Sequence, residues 1–359
     1  MALWVDRHRP ATLALLTYHN TLSLHLDRLA QETDLPHLLF FGPSGAGKRT
    51  RILATLRALF GSGVDKVKVE HRTLVTPSNR KIDVSLLVSN YHIEINPGDA
   101  GTQDRLVVQD LIKEIAQTQN IDQSAAKRFK VVLISDADSL SLPAQHALRR
   151  TMEKYMGNLR IILCCTSTAK IIPAVQSRCL LIRVAAPTST EIASVLGSVA
   201  TREGFRLADE VAETLAVQSK RNLRRAILML EALYVTNGSP NRIDANCDLS
   251  GIEYDWESYI QELARDVHGE QSAERLALIR PKLYDLIVHC IPPSIILRTL
   301  ALDIALLMPE VIRPAVLNHA AQYEYSLVQG TKPIFHLEAF VARVMSTYKR
   351  FQVQAFVPM

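Results

Sequence analysis

Apolar and polar positions along the first half of the chain alternate between strand-like and helix-like segments. "HLLFF" (His37 to Phe41) is a short apolar run ending in a glycine-rich turn, and "TRILATLRALFG" after it carries apolar residues at helical spacing, closed by Gly61. "KVKVEHRTLV" and "IDVSLLVSNYHIEI" have strand-like alternation or β-rich composition and are joined through "TPSNRK". The pattern allows a hairpin or an insertion between elements of a main sheet. "FKVVLI" and "LRIILCC" are wholly apolar and flank the helical "LPAQHALRRTMEKYM". Strand, helix, strand with uninterrupted apolar strands predicts a parallel sheet covered on both faces.

After "VAAPTST" (Val184 to Thr190) the strand pattern stops. "STEIASVLGSVATREG" and "LADEVAETLAVQSKRNLRRAILMLEALYV" read as helices, the first capped by Ser189 or Thr190. The turn-rich "TNGSPNRIDANCD" reads as a linker, and the remainder is helical apart from breaks at "CIPPS" and "QGTKP". The expected class is α/β plus all-α: an α/β domain over residues 1–185, a helical lid over 186–243 and a helical C-terminal domain over 244–359. No internal repeat or low-complexity segment interrupts this reading.

Composition narrows the class. A chain of 359 residues exceeds one ordinary domain, and 48% hydrophobic with 21% charged residues is ordinary for soluble globular proteins. No apolar run reaches the ~20 residues that cross a bilayer, and "MALWVDRHRP" lacks a signal-peptide core, so an intracellular protein without membrane partners is expected. Cys164, Cys165, Cys179, Cys247 and Cys290 show no CxxC spacing, and the eleven histidines form no ligand pattern; neither a disulfide framework nor a protein metal site is expected. A net charge of +5 permits contact with nucleic-acid phosphates without demanding it.

The first chemical motif is "GPSGAGKRT": Gly42, Pro43, Ser44, Gly45, Ala46, Gly47, Lys48, Arg49 and Thr50. Gly42, Gly47 and Lys48 satisfy G-x-x-x-x-G-K between an apolar strand and a helix. Glycines there let backbone N–H groups curl around phosphate oxygens, the helix N-terminus adds positive potential, and Lys48 reaches the outer phosphates. The next position normally offers a Ser or Thr hydroxyl to magnesium, and here it is Arg49. Thr50 cannot stand in, since a helix turns roughly 100° per residue. Arg49 adds a donor near the phosphates and competes with the metal. Hydrolysis also needs a strand ending in acids, and "VVLISDADSL" supplies Asp136 and Asp138.

Six stretches occur in an order that resembles the small subunits of replication factor C, the eukaryotic sliding-clamp loader of the AAA+ ATPase class. They are "LWVDRHRPATL", the phosphate loop, "ISDADSL", "AQHALRRTMEKY", "IIPAVQSRC" and "NLRRAI". The resemblance runs from Leu3 to about Leu230, and "LYDLIVHCIPPSIILRTL" looks like the family's C-terminal collar. It implies an AAA+ P-loop domain, a lid and an oligomerising collar. The family's D-E-A-D becomes Ser135, Asp136, Ala137 and Asp138, and Thr166 replaces the Asn of its first sensor strand. With Arg49, this resembles the family's small subunit with a degenerate ATP site.

The resemblance implies a subunit that holds ATP or ADP, with little hydrolysis of its own, and with magnesium in question at Arg49 and Ser135. Val5, Arg9 and Pro10 match the segment packing near the nucleoside; His8 departs from the usual aromatic. Arg224 matches the lid arginine that contacts phosphate, with a solvated charged face as the lesser alternative on pattern alone. Arg178 of Ser-Arg-Cys matches the arginine finger inserted into the neighbouring subunit, where a surface salt bridge is the plainer alternative. Arg105 and Lys113 are candidates for backbone contact with DNA or, equally, for solvated charges, and Arg149 for DNA, a neighbouring subunit or the coupling between them. The implied partners are the other subunits of a hetero-pentamer, the sliding clamp PCNA, primer–template DNA and, through an alternative loader, the checkpoint clamp; the implied location is the nucleus. An autonomous ATPase using Asp136 and Asp138, or a scaffold that binds no nucleotide, are the competing readings.

Overall fold

The computed structural model describes residues 2–32, 34–75, 81–98, 101, 104–117, 129–238, 242–243 and 255–356. Cys247 and most of the "TNGSPNRIDANCD" stretch lie outside these. The chain divides into two compact units, Met1–Leu249 and Ser250–Met359.

The first unit begins with α1 (Trp4–Arg7), α2 (Asn20–Gln31), β1 (His37–Phe41) and α3 (Lys48–Phe60). Then come β2 (Lys68–Val75), β3 (Lys81–Val88), β4 (His92–Ile95), α4 (Asp104–Gln117), β5 (Lys130–Ile134) and α5 (Leu142–Lys154). The α/β part closes with β6 (Leu159–Cys165), α6 (Pro173–Gln176) and β7 (Cys179–Arg183). Among the described residues these strands form one seven-stranded sheet in the order β2-β3-β4-β5-β6-β1-β7.

From β4 to β7 the sheet is parallel, with Leu39 opposite Leu163 and Leu181, and Glu94 opposite Leu133. β2 and β3 add an antiparallel edge, so the sheet is mixed rather than parallel throughout. The single run "IDVSLLVSNYHIEI" is two strands turning at Ser89–Tyr91. The apolar runs are explained by their two buried faces. Leu38, Phe40, Val131 and Leu133 pack with α2 and α3, whereas Leu39, Val132 and Ile134 pack with α4 and α5. A strand covered on both sides has no polar alternation to display.

The rest of this unit holds α7 (Ser189–Glu203), β8 (Arg206–Leu207), α8 (Asp209–Gln218), α9 (Leu223–Thr236) and β9 (Arg242–Ile243). Strands therefore do not stop at Val184: β8 and β9 form a short parallel pair. The cap of α7 is Thr188 rather than Ser189 or Thr190. Its hydroxyl accepts from Glu191 N and the Glu191 carboxylate accepts from Thr188 N, a reciprocal capping box.

The second unit is helical among its described residues: α10 (Asp255–Gly269), α11 (Ala273–Val288), α12 (Pro293–Leu307), α13 (Arg313–Gln329) and α14 (Pro333–Phe356). Leu263, Ile279, Leu283, Leu300, Ile304, Leu337, Phe340 and Val344 make its core. No described helix of either unit is long and apolar enough to cross a membrane.

Candidate functional site

A cleft of about 300 Å³ opens between the end of β1 and the helices α7 and α9. Ser44, Gly45, Gly47, Lys48, Arg49 and Thr50 line it, with Val5, Arg9, Ser135, Asp136, Thr166 and Arg224. Gly42, Pro43 and Ala46 belong to the same turn but do not line the cleft; Ala46 is buried and Pro43 is exposed.

The loop's glycines are required by geometry. Gly42, Gly45 and Gly47 have φ of 152°, 75° and 85°, a region that favours glycine. A Cβ at Gly42 would meet Val184 O at 1.9 Å, and at Gly45 it would meet Asn222 Oδ1 at 1.7 Å. At Gly47 it would meet Tyr18 Oη at 2.2 Å, where that hydroxyl donates to Ala46 O at 3.1 Å. The chain must bend tightly against its neighbours here, and it delivers the N-terminus of a 13-residue helix, α3, to the cleft. Unpaired N–H groups and the helix dipole make such a terminus attractive to phosphate. Lys48 folds back on the loop, donating to Gly42 O at 2.7 Å and Pro43 O at 2.9 Å. Three positive-φ glycines, a helix start and a lysine held on the turn together fit a phosphate chain.

The far end of the cleft is built differently. Arg49 donates to Glu94 Oε2 at 2.7 Å, and Ser135 Oγ donates to Glu94 Oε1 at 2.7 Å. Asp136 has left-handed backbone, φ 48°, and lines the cleft. Asp138 is engaged by the sensor-position residue: Thr166 N donates to its carboxylate at 3.1 Å, and so does the Thr166 hydroxyl. Burial pushes the nearby Cys164 thiol up to about 11, against the pull of Lys48 and with that of Asp136, Asp138 and Glu94. It is an inert thiol at neutral pH.

The lid residue Arg224 is placed by the turn before α9. Lys220 and Arg221 both adopt positive φ, and Arg221 donates to Pro187 O and Ala186 O, each at 3.0 Å. Asn222 then caps α9 by accepting from Arg225 N at 3.1 Å. Arg224 faces the cleft, while Ala226, Ile227 and Leu230 are buried. Arg225 is half-buried.

On the opposite wall, His8 Nε2 lies 2.5 Å from Glu203 Oε1 and Arg7 donates to the same carboxylate. Trp4 packs on Phe205 and Tyr234. A histidine where the family carries an aromatic thus tethers the N-terminal segment to the end of α7.

Residues 256–352 match the family described as replication factor C subunit 3, C-terminal domain, and residues 194–235 match the RCF1/5-like AAA+ ATPase lid domain. Residues 18–188 match DNA polymerase III, delta subunit. Replication factor C subunit 5 of Neurospora crassa is 51% identical over 352 residues, 98% of each chain. Replication factor C subunit 3 of Bos taurus is 48% identical over 351 residues, 98% of this chain and 97% of that one. The chain belongs to the replication factor C small-subunit family. Membership supports the role of a clamp-loader subunit in DNA replication. The Thermotoga maritima RuvB Holliday junction branch migration motor superposes with a TM-score of 0.50 at 16% identity, covering 77% of this chain and 85% of that one. That likeness speaks for the AAA+ fold alone.

The remaining sequence candidates lie outside the cleft lining. Arg178 follows α6, where it donates to Ala174 O at 2.6 Å and to the Glu153 carboxylate. Glu153 also faces Arg149 at 3.5 Å, and the hydrogen bond from Arg178 is the first cause holding its carboxyl below the usual range. Arg105 and Lys113 are exposed on α4, whose Val107, Val108, Ile112 and Ile115 are buried. Sequence reasoning missed Glu94, Tyr18, Ser198 and Arg202. Only Glu94 left a signal, a lone carboxylate inside the apolar strand "HIEI".

Proposed function

We propose that this clamp-loader subunit holds ATP or ADP in the cleft, hydrolyses it poorly or not at all, and lends Arg178 to the catalytic site of an adjacent subunit. One observation carries the reading: the two ends of a single cleft have different chemistry. The loop from Gly42 to Thr50 keeps the positive-φ glycines and the lysine that phosphate binding needs. At the other end Ser135 stands where a metal-binding aspartate is needed, and Asp138 is occupied by Thr166. An autonomous ATPase would need those carboxylates for magnesium and for water. A nucleotide-free scaffold would leave the bend at Gly42, Gly45 and Gly47 without purpose.

Val5 and Arg9 would flank the nucleoside, and Lys48 and Arg224 its phosphates. Arg178 is partly exposed beyond its own cleft, and its guanidinium is held by groups that another subunit's phosphates could replace. Stabilising charge on a transferring phosphoryl group from across an interface is worth orders of magnitude in rate. Exposed Leu302, Leu306 and Val311 on and after α12 support a collar that packs against other subunits of a hetero-pentamer. We assign residues 1–185, 186–243 and 244–359 to the P-loop domain, lid and collar. Arg105, Lys113 and Arg149 would face primer–template DNA, the assembly would act on PCNA or, with another large subunit, on the checkpoint clamp, and the location would be the nucleus.

The test is a reconstituted loader carrying Arg178→Ala. Its clamp- and DNA-stimulated ATPase is expected to fall about tenfold or more while labelled nucleotide still binds this chain. Unchanged ATPase would rule out the finger assignment, and absence of saturable nucleotide binding by the purified wild-type chain would rule out the holding role.

A further inference from the structure

We propose that Arg49, pinned by Glu94, occupies the place of the divalent cation, so that the cleft binds a nucleoside di- or triphosphate without magnesium, granted the nucleotide-holding reading above. In P-loop proteins magnesium sits between the hydroxyl after the loop lysine and an acid at the end of another strand of the sheet. Here those two positions are Arg49 and Ser135, and one buried carboxylate joins them. Glu94 Oε1 accepts from Ser135 at 2.7 Å and Oε2 accepts from Arg49 at 2.7 Å.

The residues present do not suit the metal. Magnesium requires near-octahedral oxygen ligands, and one expected oxygen donor is a guanidinium. Each oxygen of Glu94 already accepts a hydrogen bond. Among the described residues, no group of three His, Cys, Asp or Glu converges as a metal site.

They do suit a fixed cation. A carboxylate buried on β4, 7% exposed, is costly unless it is paired and hydrogen-bonded, and Arg49 and Ser135 do both. Arg49 is in turn held in one orientation while its side chain stays 46% accessible and lines the cleft beside Lys48 and Ser44. A guanidinium has five donors and stays charged at any working pH. Those not used on Glu94 can meet phosphate oxygens bidentately. Such a cation screens ground-state phosphate charge but cannot bridge and activate as a hydrated divalent ion does. The same substitution that removes metal dependence therefore disfavours hydrolysis.

The experiment titrates full-length chain with fluorescently labelled ADP in magnesium and in excess EDTA, with circular dichroism melting to establish that each variant is folded. Wild-type Kd is expected to agree within about twofold between the two conditions. Arg49→Ser should weaken binding in EDTA about tenfold or more, Arg49→Lys should recover part of it, and Glu94→Gln should weaken it severalfold by releasing the guanidinium. The double variant Arg49→Ser with Ser135→Asp should bind more tightly in magnesium than in EDTA. Wild-type binding that needs magnesium, or an Arg49→Ser affinity unchanged in EDTA, would overturn the proposal and leave the nucleotide-holding role standing. No binding in either condition would overturn both.

Discussion

The two ends of the cleft rest on strands of one sheet, β1 for the loop and β4 and β5 beyond β6 for the acids, yet they carry opposite constraints. At the loop end, below Lys48, the backbone is forced: three glycines take positive φ within 1.7–2.2 Å of where a Cβ would strike Val184, Asn222 or Tyr18. At the acidic end Glu94 sits in β4 while Ser135, Asp136 and Thr166 lie in the turns just after β5 and β6, and it is the side chains that differ. Ser135 and Arg49 hydrogen-bond to Glu94, and Thr166 to Asp138. Main-chain geometry that grips phosphates tolerates little change, because a substituent would meet the backbone of Val184 at Gly42 and packed side chains at Gly45 and Gly47, on a φ that favours glycine. Side-chain chemistry that positions a metal and water can drift as long as each buried polar group finds a partner. On the proposed reading, binding and hydrolysis therefore separate within one pocket.

The largest expected effect is at the loop. Lys48→Ala should weaken labelled-nucleotide binding about 10- to 100-fold, the loss of a charge-assisted contact. A change under twofold would mean that the loop does not grip phosphate, and the contrast would collapse.

A second prediction concerns the root of the strand that carries the loop. His37 is buried at the start of β1, where Ile161 N donates to Nδ1 at 3.0 Å. Burial first, and the charge of Arg160 second, lower its pKa from 6.5 to about 4. Between those values the unfolded chain binds more protons than the folded one. Stability from this group is thus complete above pH 6.5, declines as pH falls, and is lost near pH 4, a total on the order of 3 kcal/mol. Thermal melting of wild type and His37→Gln across that window reads it; the variant should show the shallower slope. Parallel slopes would remove His37 as the cause.

The smallest effect is expected at the acidic end. Asp136→Asn keeps a side chain that tolerates the left-handed backbone. ATPase of the assembled loader should change by less than about twofold, because on the proposed reading this subunit's own hydrolysis contributes little. A tenfold fall would sharpen the comparison in the other direction, making Asp136 a working group.

Much of this cleft was legible beforehand because its parts are local. The loop, its strand and its helix are consecutive, and the spacing of glycines and lysine carries the phosphate chemistry with it. The lid arginine was legible as a position on a helix, but its placement depends on Asn222, Arg221 and the carbonyls of Ala186 and Pro187, which are 34–35 residues away in sequence from Arg221. The edge hairpin was left open by pattern alone, since alternation does not say which strand it joins. The cap at Thr188 was displaced by a residue or two because three hydroxyl residues stand in a row, and only the reciprocal bond to Glu191 chooses among them.

The sequence by itself determined the α/β-then-helical order, the phosphate loop and Arg49 after its lysine, because each is a matter of residue type at short spacing, while the exchanges at Ser135 and Thr166 were implied by the family resemblance. Tertiary structure alone decided what those exchanged residues do. Glu94 is 45 positions from Arg49 and 41 from Ser135. The sheet sets β4 beside β5, and a carboxylate buried there must find its counter-charge from whatever the fold brings within reach.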